Sequence, residues 1–580
     1  MLLVTTALEE TWGKDQEILF LGEWCKLYKR KGVWAKRNSK TLADPWSNRE
    51  KRFEAYEITE KIYFKFIQSL SGELNKIHKV DYPVRYWKIL CGPWLRLFIN
   101  TTYYKWECIS DLINKFESIE TIVLDVNFET QIPNDMMDFE NKMISDYWNH
   151  YISTLVIESI KPNIILEKIK ISSNERHNNF FPKESKIRRL AWTYLNFFGR
   201  LINAKNSIFI SNSYLSNLNK IKLAIKMRSL PSFGVIKMYK NGYEPNIEVR
   251  SDIISSILNL STYEVFLKDI LLKNIPYVYI EGFKDLNYSV NRNKWQKNPR
   301  AIVTAVDHFS NDVFKCYAAI KMLNGAKINI LCHGGGGKYK FSDYQSLELD
   351  LCDNYFTWGW SEYSSKCIKG YFLKNNGYKR VGNKDENYLL HILYSKFRYQ
   401  KFIDSSPSYE QYLGKYLPSQ IEFILKIGDY SNIRSIVKLS YDYENKIEER
   451  INERCLDVNY ARSSDNYNNL LINAKLVVTT YNCTTPVESI AMNIPTIIFW
   501  FPEHWELAPS ATPLFDRLRA CGVFHDSPES AALMVKKVWS NIDHWWLSNE
   551  VQCACTEFKA WFSRESSRPI DELADFCNAQ

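Results

Sequence analysis

The stretch 475–500 constrains the fold more than any other part of the chain, because it predicts a strand, a polar loop, a helix and a second strand in immediate succession. Leu476 to Val478 is a short apolar run rich in β-branched residues, and Ile494 to Trp500 is another. Such runs are typical of strands that are buried on both faces. Between them, Thr485 has the residue type of a helix N-cap, and Glu488 stands at the spacing of a capping box. The stretch therefore predicts a βαβ unit of a parallel sheet.

The loop inside this unit is a predicted phosphate site. It lies between the carboxyl end of a strand and the amino end of a helix, where backbone N–H groups and the helix dipole favour an anion. Its candidate ligand groups are the hydroxyls of Thr480, Thr484 and Thr485 and the carboxylate of Glu488. The alternative is that Thr485 and Glu488 only cap the helix, and the sequence leaves both interpretations open.

A second candidate phosphate site is the run of four glycines that begins at Gly334, directly after His333 and the predicted strand Ile328 to Cys332. Each glycine costs conformational entropy on folding, so the run indicates close backbone approach to a ligand or a mobile loop. The pattern lacks the Lys-Ser or Lys-Thr of a P-loop and the helix and acidic partner of a dinucleotide fingerprint. We therefore predict that Gly334, Gly335 and Gly336 contact a ligand phosphate and that His333 donates to this phosphate or to a leaving group. The alternative for His333 is a structural histidine.

Three glutamates are candidates for the base that takes a proton from an acceptor hydroxyl. Glu9 and Glu10 follow the predicted strand Leu2 to Thr5, and Glu23 follows the predicted strand Ile18 to Leu21. Each is also a plausible surface or capping residue, so the sequence alone does not choose among them.

The length of 580 residues is too great for one ordinary core, so two or more domains are expected. The polar, basic stretch 289–300 separates an irregular half from a half with regular strand–helix alternation. We predict an amino-terminal Rossmann-like domain over 1–295 with a helical insertion, and a carboxyl-terminal Rossmann-like domain over 296–580. Seven or more short strands alternating with helices predict the α/β class with a doubly wound parallel sheet.

Composition excludes several other classes. The apolar runs are far shorter than a membrane span, and the first residues lack the pattern of a signal peptide, so a cytoplasmic location is expected. The 13 cysteines are scattered without zinc-ligand spacing, which predicts free thiols and no metal. Basic clusters at Lys26 to Lys40 and Lys183 to Arg189 suggest either attraction to acidic partners, such as the inner membrane surface, or a solvated surface.

The motifs together resemble a family of transferases encoded in bacterial O-antigen and surface-polysaccharide gene clusters. The resemblance covers nearly the whole chain, in order. It is carried by Thr5 to Trp12, Leu21 to Cys25, Tyr86 with Trp87, Gly92 to Leu95, His333 to Gly336, Tyr355, Thr357 to Gly359, 479–495, Ser527 to Glu529, Ala531 with Ala532, and Trp545 with Trp546.

The resemblance implies a metal-independent glycosyltransferase of the GT-B type, in which two Rossmann-like domains face each other across a cleft. It implies a nucleotide-activated sugar as co-substrate, for which a CMP-linked ulosonate is one candidate, with no resident cofactor. The acceptor would be a growing surface polysaccharide or O-antigen, held by the amino-terminal domain. Two departures put donor contacts in doubt: Cys332 stands where this type often has glutamine, and an arginine-rich loop is reduced to Lys438 and Asp442 with Tyr443.

Two other functions remain open from the sequence. The first is a nucleotide-sugar epimerase of the same fold. The second is a non-catalytic protein that binds RNA or an acidic glycan, which the net charge of +9 and the 36 tyrosines suggest. We expect the transferase, with no nucleic-acid partner.

Overall fold

Three parallel sheets organise the chain. The computed structural model describes residues 1–116, 118–170, 194, 196–197, 207–228, 239, 242–251, 259–334, 345–361, 364–374, 387–430, 432–439, 441–462 and 464–578. Within these residues, fifteen short strands form three sheets of five, and the strand pairs are parallel. The predicted α/β class with parallel sheets is therefore confirmed.

The first sheet lies within residues 1–170 and has the strand order β3-β2-β1-β4-β5. Its strands are β1 (Leu2–Val4), β2 (Ile18–Phe20), β3 (Ser39–Thr41), β4 (Glu120–Asp125) and β5 (Ile165–Lys170). The accompanying helices are Lys31–Trp34, Arg49–His78, Val84–Lys115, Phe128–Gln131, Met136–Lys142 and Asp146–Ile160. The order reverses between β1 and β4, and open α/β sheets bind ligands at such a reversal.

The second sheet has the order β10-β9-β8-β7-β6, so its strands are neighbours in both sequence and space. They are β6 (Ile208–Ser211), β7 (Ala301–Thr304), β8 (Lys327–Leu331), β9 (Asn354–Phe356) and β10 (Cys367–Ile368). The accompanying helices are Asn217–Lys226, Ile247–Ser251, Thr262–Asn274, Phe283–Arg292, Asp307–Ser310, Asp312–Leu323 and Gln345–Leu351.

The third sheet has the order β12-β11-β13-β14-β15, with its reversal between β11 and β13. Its strands are β11 (Tyr388–Ile392), β12 (Arg434–Lys438), β13 (Leu476–Thr479), β14 (Thr496–Phe499) and β15 (Phe524–His525). The helices that follow are Tyr409–Gln411, Leu417–Gly428, Ile447–Asn452, Tyr467–Asn473, Thr484–Ala491, Thr512–Ala520, Pro528–Val538, Ile542–Trp546, Asn549–Phe562 and Pro569–Asn578. The predicted βαβ unit is confirmed as β13, the helix Thr484–Ala491 and β14.

The predicted boundary at 295/296 does not separate the sheets, of which the described residues contain three. The second sheet contains strands from both sides of the predicted boundary at 295/296. Ile208 pairs with Ala301 and Ser211 pairs with Thr304, so β6 and β7 are adjacent parallel strands. A cut at 295/296 would therefore remove an edge strand from the second sheet.

A pair of long helices joins the first and second sheets. Arg49–His78, capped by the side chain of Asn48, packs along Val84–Lys115. Val84–Lys115 also packs against Asp312–Leu323, which belongs to the second sheet. The predicted helical elaboration of the amino-terminal half is thus a shared core between two sheets.

The end of the chain returns to the second sheet. Pro569–Asn578 packs against Asn217–Lys226. Leu573 and Phe576 are buried in the same apolar cluster as Ile208 of β6. The second sheet is therefore covered by a helix that comes after the third sheet in sequence, which ties these two parts of the chain together.

We expect Trp87→Ala to destabilise the protein, because Trp87 joins the first and second sheets. Its side chain is fully buried, its ring centroid lies 5.6 Å from that of Phe283, and its Nε1 donates to Oδ1 of Asn75 at 2.8 Å. Truncation should cost about 3–5 kcal/mol in the free energy of unfolding, measured by chemical denaturation. Leu456→Ala, at a side chain that is 88% exposed, is the control and should change it by less than about 0.5 kcal/mol. Similar small changes in both variants would contradict the shared core.

Candidate functional site

The second and third sheets meet where Gly334 touches Thr484. Gly334 follows β8 with a backbone φ of +143°, and a Cβ placed on it would lie 2.5 Å from Oγ1 of Thr484 and 3.7 Å from Nζ of Lys374. Thr484 is the first residue of the helix after β13. The two predicted phosphate elements are therefore parts of one site. We call this site the crevice and define it by His333, Gly334, Lys374, Thr484 and Glu488; Gly335 and Gly336 lie outside the described residues.

The start of the helix Thr484–Ala491 differs from the predicted capping box. Cys483 is the N-cap, so Thr485 lies inside the first turn. The Thr485 hydroxyl is 2.6 Å from the Tyr481 hydroxyl. The prediction was wrong because the helix already begins at Thr484, and Pro486 is accommodated within its first turn, where N–H groups have no intrahelical partner.

Glu488 contacts neighbouring side chains that the sequence did not indicate. Its Oε1 is 3.3 Å from Nζ of Lys374, and its Oε2 accepts a hydrogen bond from the Tyr467 hydroxyl at 3.1 Å. The Lys374 ammonium also lies 5.1 Å from the ring centroid of Tyr214, which follows β6. Lys374 thus places a positive charge beside the helix start, and sequence analysis missed it because the contact joins residues more than a hundred positions apart.

His333 is oriented by a buried carboxylate. Its Nδ1 lies 3.2 Å from Oε1 of Glu348, and Nε2 of His308 lies 3.2 Å from the same oxygen. The Tyr355 hydroxyl donates to Oε2 of Glu348 at 2.8 Å. Glu348 is 1% exposed, whereas the His333 side chain is 20% exposed. An ionised carboxylate at this distance favours a proton on Nδ1, so Nε2 is the ring nitrogen remote from Glu348.

The charge state of Glu348 follows from its neighbours. Burial opposes the charged form, but the imidazoles of His333 and His308 outweigh burial and hold the pKa of Glu348 at about 2. The folded protein therefore keeps a carboxylate at a position where an unpaired charge would be very costly. Neither His308 nor Glu348 carried a motif that would have identified it from sequence.

The remaining loop residues have different surroundings. The Thr480 hydroxyl is buried, donates to the carbonyl oxygen of Ile392 at 3.0 Å and lies 2.7 Å from the Tyr416 hydroxyl. These contacts join the ends of β13 and β11. Asn482 is also fully buried, and neither polar atom of its side chain has a hydrogen-bond partner among the described residues.

The three predicted acceptor-side glutamates lie at the first sheet. Glu9 forms two hydrogen bonds with Arg30, at 2.5 Å each, and the hydrogen bond from Arg30 lowers the pKa of Glu9. Glu23 contacts Nζ of Lys26 at 2.7 Å, and Glu10 is exposed. Within the described part of the chain, these contacts of Glu9 and Glu23 do not reach the crevice residues.

Asp146 is a carboxylate at the first sheet that the sequence analysis did not select. It accepts hydrogen bonds from Nη2 of Arg398 at 2.7 Å, from the Ala7 backbone at 3.2 Å and from the Tyr399 hydroxyl. Burial raises the pKa of Asp146, but the charge and hydrogen bonds of Arg398 and the other donors lower it overall. Ser145 caps the helix that begins at Asp146, and this cap was the available signal in the sequence.

The described residues offer neither a metal cluster nor a membrane span. Among them, no three His, Cys, Asp or Glu side chains are grouped so that they could hold a metal ion. The helices of the same part of the chain are also too short or too polar to cross a bilayer.

The family model described as LIC12162 family transferase matches residues 1–576. The chain belongs to this transferase family. The transferase family indicated by the sequence motifs is thus confirmed. The comparison with curated proteins found no match.

Solved structures also show similarity, at low sequence identity. The co-structure of S. aureus MnaA with UDP is 9% identical, with a TM-score of 0.37, and the match covers 65% of this chain and 96% of that one. Anabaena Alr3699/HepE in complex with UDP and glucose is 10% identical, with a TM-score of 0.36, and the match covers 65% of this chain and 100% of that one. The wall teichoic acid polymerase TagF is 10% identical, with a TM-score of 0.31, and the match covers 68% of this chain and 92% of that one. None of these scores is high enough to establish a shared fold.

We expect Gly334→Ala to disturb the crevice by crowding. The added Cβ would meet Thr484 in a backbone conformation that disfavours side chains, so the variant should lose about 1–3 kcal/mol of unfolding free energy, measured by chemical denaturation. Gly325→Ala is the matched control, because Gly325 has a φ of +87° with no heavy atom within 4 Å of its added Cβ. The combination of Gly334→Ala with Thr484→Ala should recover part of the loss. Equal effects of Gly334→Ala and Gly325→Ala would show that backbone strain alone is responsible.

We expect the stability advantage of the wild type over Glu348→Gln to depend on pH. The carboxyl titrates near about 4.3 in an unfolded chain, and its folded pKa is about 2. Between these two pKa values the unfolded state therefore binds more protons than the folded state. The stabilisation by ionised Glu348 is complete above the unfolded pKa and is lost as the pH falls toward the folded pKa. Chemical denaturation of both proteins from about pH 6 down to about pH 3 measures the difference. A difference that stays constant over this range would contradict an ionised Glu348 paired with the histidines.

Proposed function

We propose that the chain is a glycosyltransferase that binds a nucleotide-activated sugar in the crevice. The observation that carries the proposal is the contact between Gly334 and Thr484, which joins the carboxyl edges of two parallel sheets. Membership of a transferase family agrees with group transfer at this place.

The donor phosphates would bind at the start of the helix Thr484–Ala491. The N–H groups of the first turn and the helix dipole favour an anion there, and the ammonium of Lys374 adds a positive charge on the same side. Gly334 allows the backbone after β8 to approach this anion closely. Glu488 holds Lys374 through their contact at 3.3 Å, and its carboxylate is our candidate for accepting hydrogen bonds from the ribose hydroxyls.

His333 would stabilise the leaving phosphate. In the transfer, the bond from the anomeric carbon to the phosphate oxygen breaks and a bond from that carbon to the acceptor oxygen forms. The proton of the acceptor hydroxyl passes to a base, for which Glu9, Glu10 and Glu23 stay our candidates. Because Nδ1 faces Glu348, His333 can donate from Nε2 to the departing oxygen only as the imidazolium, whose charge the Glu348 carboxylate balances. We propose a growing surface polysaccharide or O-antigen as acceptor, a CMP-linked ulosonate as one candidate donor, and a cytoplasmic location at the inner membrane.

The proposal predicts that a nucleotide raises the melting temperature of the full chain. The nucleotides to be tested form a panel of CMP, CDP, UDP, GDP and dTDP. A ligand at about 100 times its Kd stabilises the native state by about 2.7 kcal/mol, which raises the melting temperature. Lys374→Ala should weaken this shift, whereas Lys222→Ala, at an exposed lysine on the helix Asn217–Lys226, should leave it unchanged. If no member of the panel shifts the melting of the wild type at millimolar concentration, the donor site is not in this chain.

A second readout in the same experiment tests transfer. His333→Asn can still donate to Glu348 from its amide, so it should bind the nucleotide normally while glycan elongation falls by about 100-fold or more. Epimerised nucleotide sugar without elongation would contradict a transferase.

A further inference from the structure

A cleft of about 660 Å³ lies between the first and third sheets, apart from the crevice residues. On the first-sheet side it is lined by Leu8, which follows β1, and Gln131, which follows β4. These two strands are adjacent, and the strand order of the first sheet reverses between them. Ligands of open α/β sheets bind outside the carboxyl ends of strands at such a reversal, and the volume is that of an ordinary ligand pocket.

On the third-sheet side the cleft is lined by the loop 441–446, whose backbone is unusual. Tyr443, Glu444 and Lys446 have φ values of +47°, +63° and +56°, in the left-handed region that side chains disfavour. All three residues line the cleft. Strained conformations of this kind persist only where the surrounding structure imposes them, and they concentrate at ligand sites.

The surrounding structure imposes this conformation through two side chains of the loop. Asp442 accepts hydrogen bonds from the backbone N–H of Lys446 at 3.0 Å and of Ile447 at 2.9 Å. Asn445 is buried, donates to the carbonyl oxygen of Lys396 at 2.6 Å and accepts from the hydroxyl of Tyr409 at 2.8 Å. The loop is thus fixed before any ligand arrives, which reduces the entropy cost of binding.

The fixed loop presents a row of aromatic rings, which we call the aromatic ladder and define as Phe397, Tyr443 and Tyr441. The ring centroids of Phe397 and Tyr443 are 3.9 Å apart, and those of Tyr443 and Tyr441 are 4.7 Å apart. All three line the cleft, and Tyr441 is 47% exposed. Phe397 and Tyr443 are half-buried, so Tyr441 offers the exposed ring face, and the two tyrosines add polar hydroxyl tips.

Other parts of the lining supply polar groups whose charges are balanced. Asp146 and Arg398 form an ion pair at 2.7 Å, and Glu444 contacts Arg398 at 3.3 Å. Asn141 adds a neutral amide to the lining. Three lysines of the lining also have partners: Lys29 lies 3.9 Å from Glu444, Lys446 lies 2.8 Å from Glu449, and Lys142 donates to the carbonyl oxygen of Thr130 at 2.7 Å. Because the guanidinium and these ammonium groups are already engaged, the cleft does not favour an anion. It favours a neutral ligand with many hydroxyl groups and some apolar surface.

We propose that this cleft binds a carbohydrate chain, with the C–H faces of sugar rings on the aromatic ladder and the hydroxyls on the polar lining. The identification of this chain as the glycosyl acceptor rests on the proposed function; carbohydrate binding itself does not. Contacts inside the protein link the cleft to the crevice. Asn141 lines the cleft, its neighbour Glu140 accepts a hydrogen bond from Ser310 at 2.5 Å, and Ser310 lies on the same short helix as the buried His308, which contacts Glu348.

The test is binding of the full chain to a microarray of bacterial surface oligosaccharides, neutral and acidic, with Kd values then measured by titration. We expect binding to neutral glycans that weakens by about tenfold or more in Tyr441→Ala and in Tyr443→Asn. Asparagine is chosen at 443 because it tolerates the left-handed backbone of that position. Tyr288→Ala, at a tyrosine that is 51% exposed on the helix Phe283–Arg292, is the control and should bind as the wild type does.

Two results would overturn the proposal: binding to none of the arrayed glycans, and binding that both ladder variants leave unchanged. The nucleotide melting shift is measured on the same proteins. A chain that binds glycans through the ladder and no nucleotide would retain the carbohydrate cleft and refute the proposed function. A chain that binds a nucleotide and no glycan would refute the cleft alone.

Discussion

The contact between Gly334 and Thr484 is the constraint on which the proposed chemistry depends. A methyl group at position 334 would lie 2.5 Å from a side-chain oxygen of Thr484, so the two sheets can meet this closely only through a glycine. The backbone φ of +143° is also one that other residues rarely adopt. The contact brings the start of the helix Thr484–Ala491, the Lys374 ammonium and the loop after His333 together at one point. Such convergence suits the nucleotide phosphate of the proposed donor.

A buried carboxylate makes the histidine of this site usable. Glu348 would be neutral or absent from a dry interior if it had no partners, and two imidazoles and a tyrosine hydroxyl compensate for its burial. The same pairing fixes which nitrogen of His333 faces inward. The orientation of His333 therefore follows from contacts made by the helix Gln345–Leu351 and by β9, which both come later in the sequence than the histidine.

Local sequence patterns predicted the elements of this site, and tertiary contacts decided the rest. The apolar runs around 476 and 497 predicted β13 and β14, and the run before Cys332 predicted β8, because buried parallel strands have this composition. Lys374 and Asp146 could not be recognised as site residues, since their partners Glu488 and Arg398 lie far away in sequence. Glu348 carried no motif, and the cap at Ser145 indicates only that a helix begins at Asp146. The polar stretch at 289–300 suggested a boundary, yet β6 and β7 pair across it. A surface loop and a domain linker have similar compositions, and only the pairing of the flanking strands shows which of the two a segment is.

The most direct test of the central claim is a structure of the full chain with the best-binding nucleotide of the panel. The account predicts phosphate oxygens about 2.7–3.2 Å from the backbone N–H groups at Thr484 and Thr485, with Nζ of Lys374 on the same phosphate. Phosphates bound instead in the cleft beside Tyr441 and Asp146, with the helix Thr484–Ala491 empty, would contradict it.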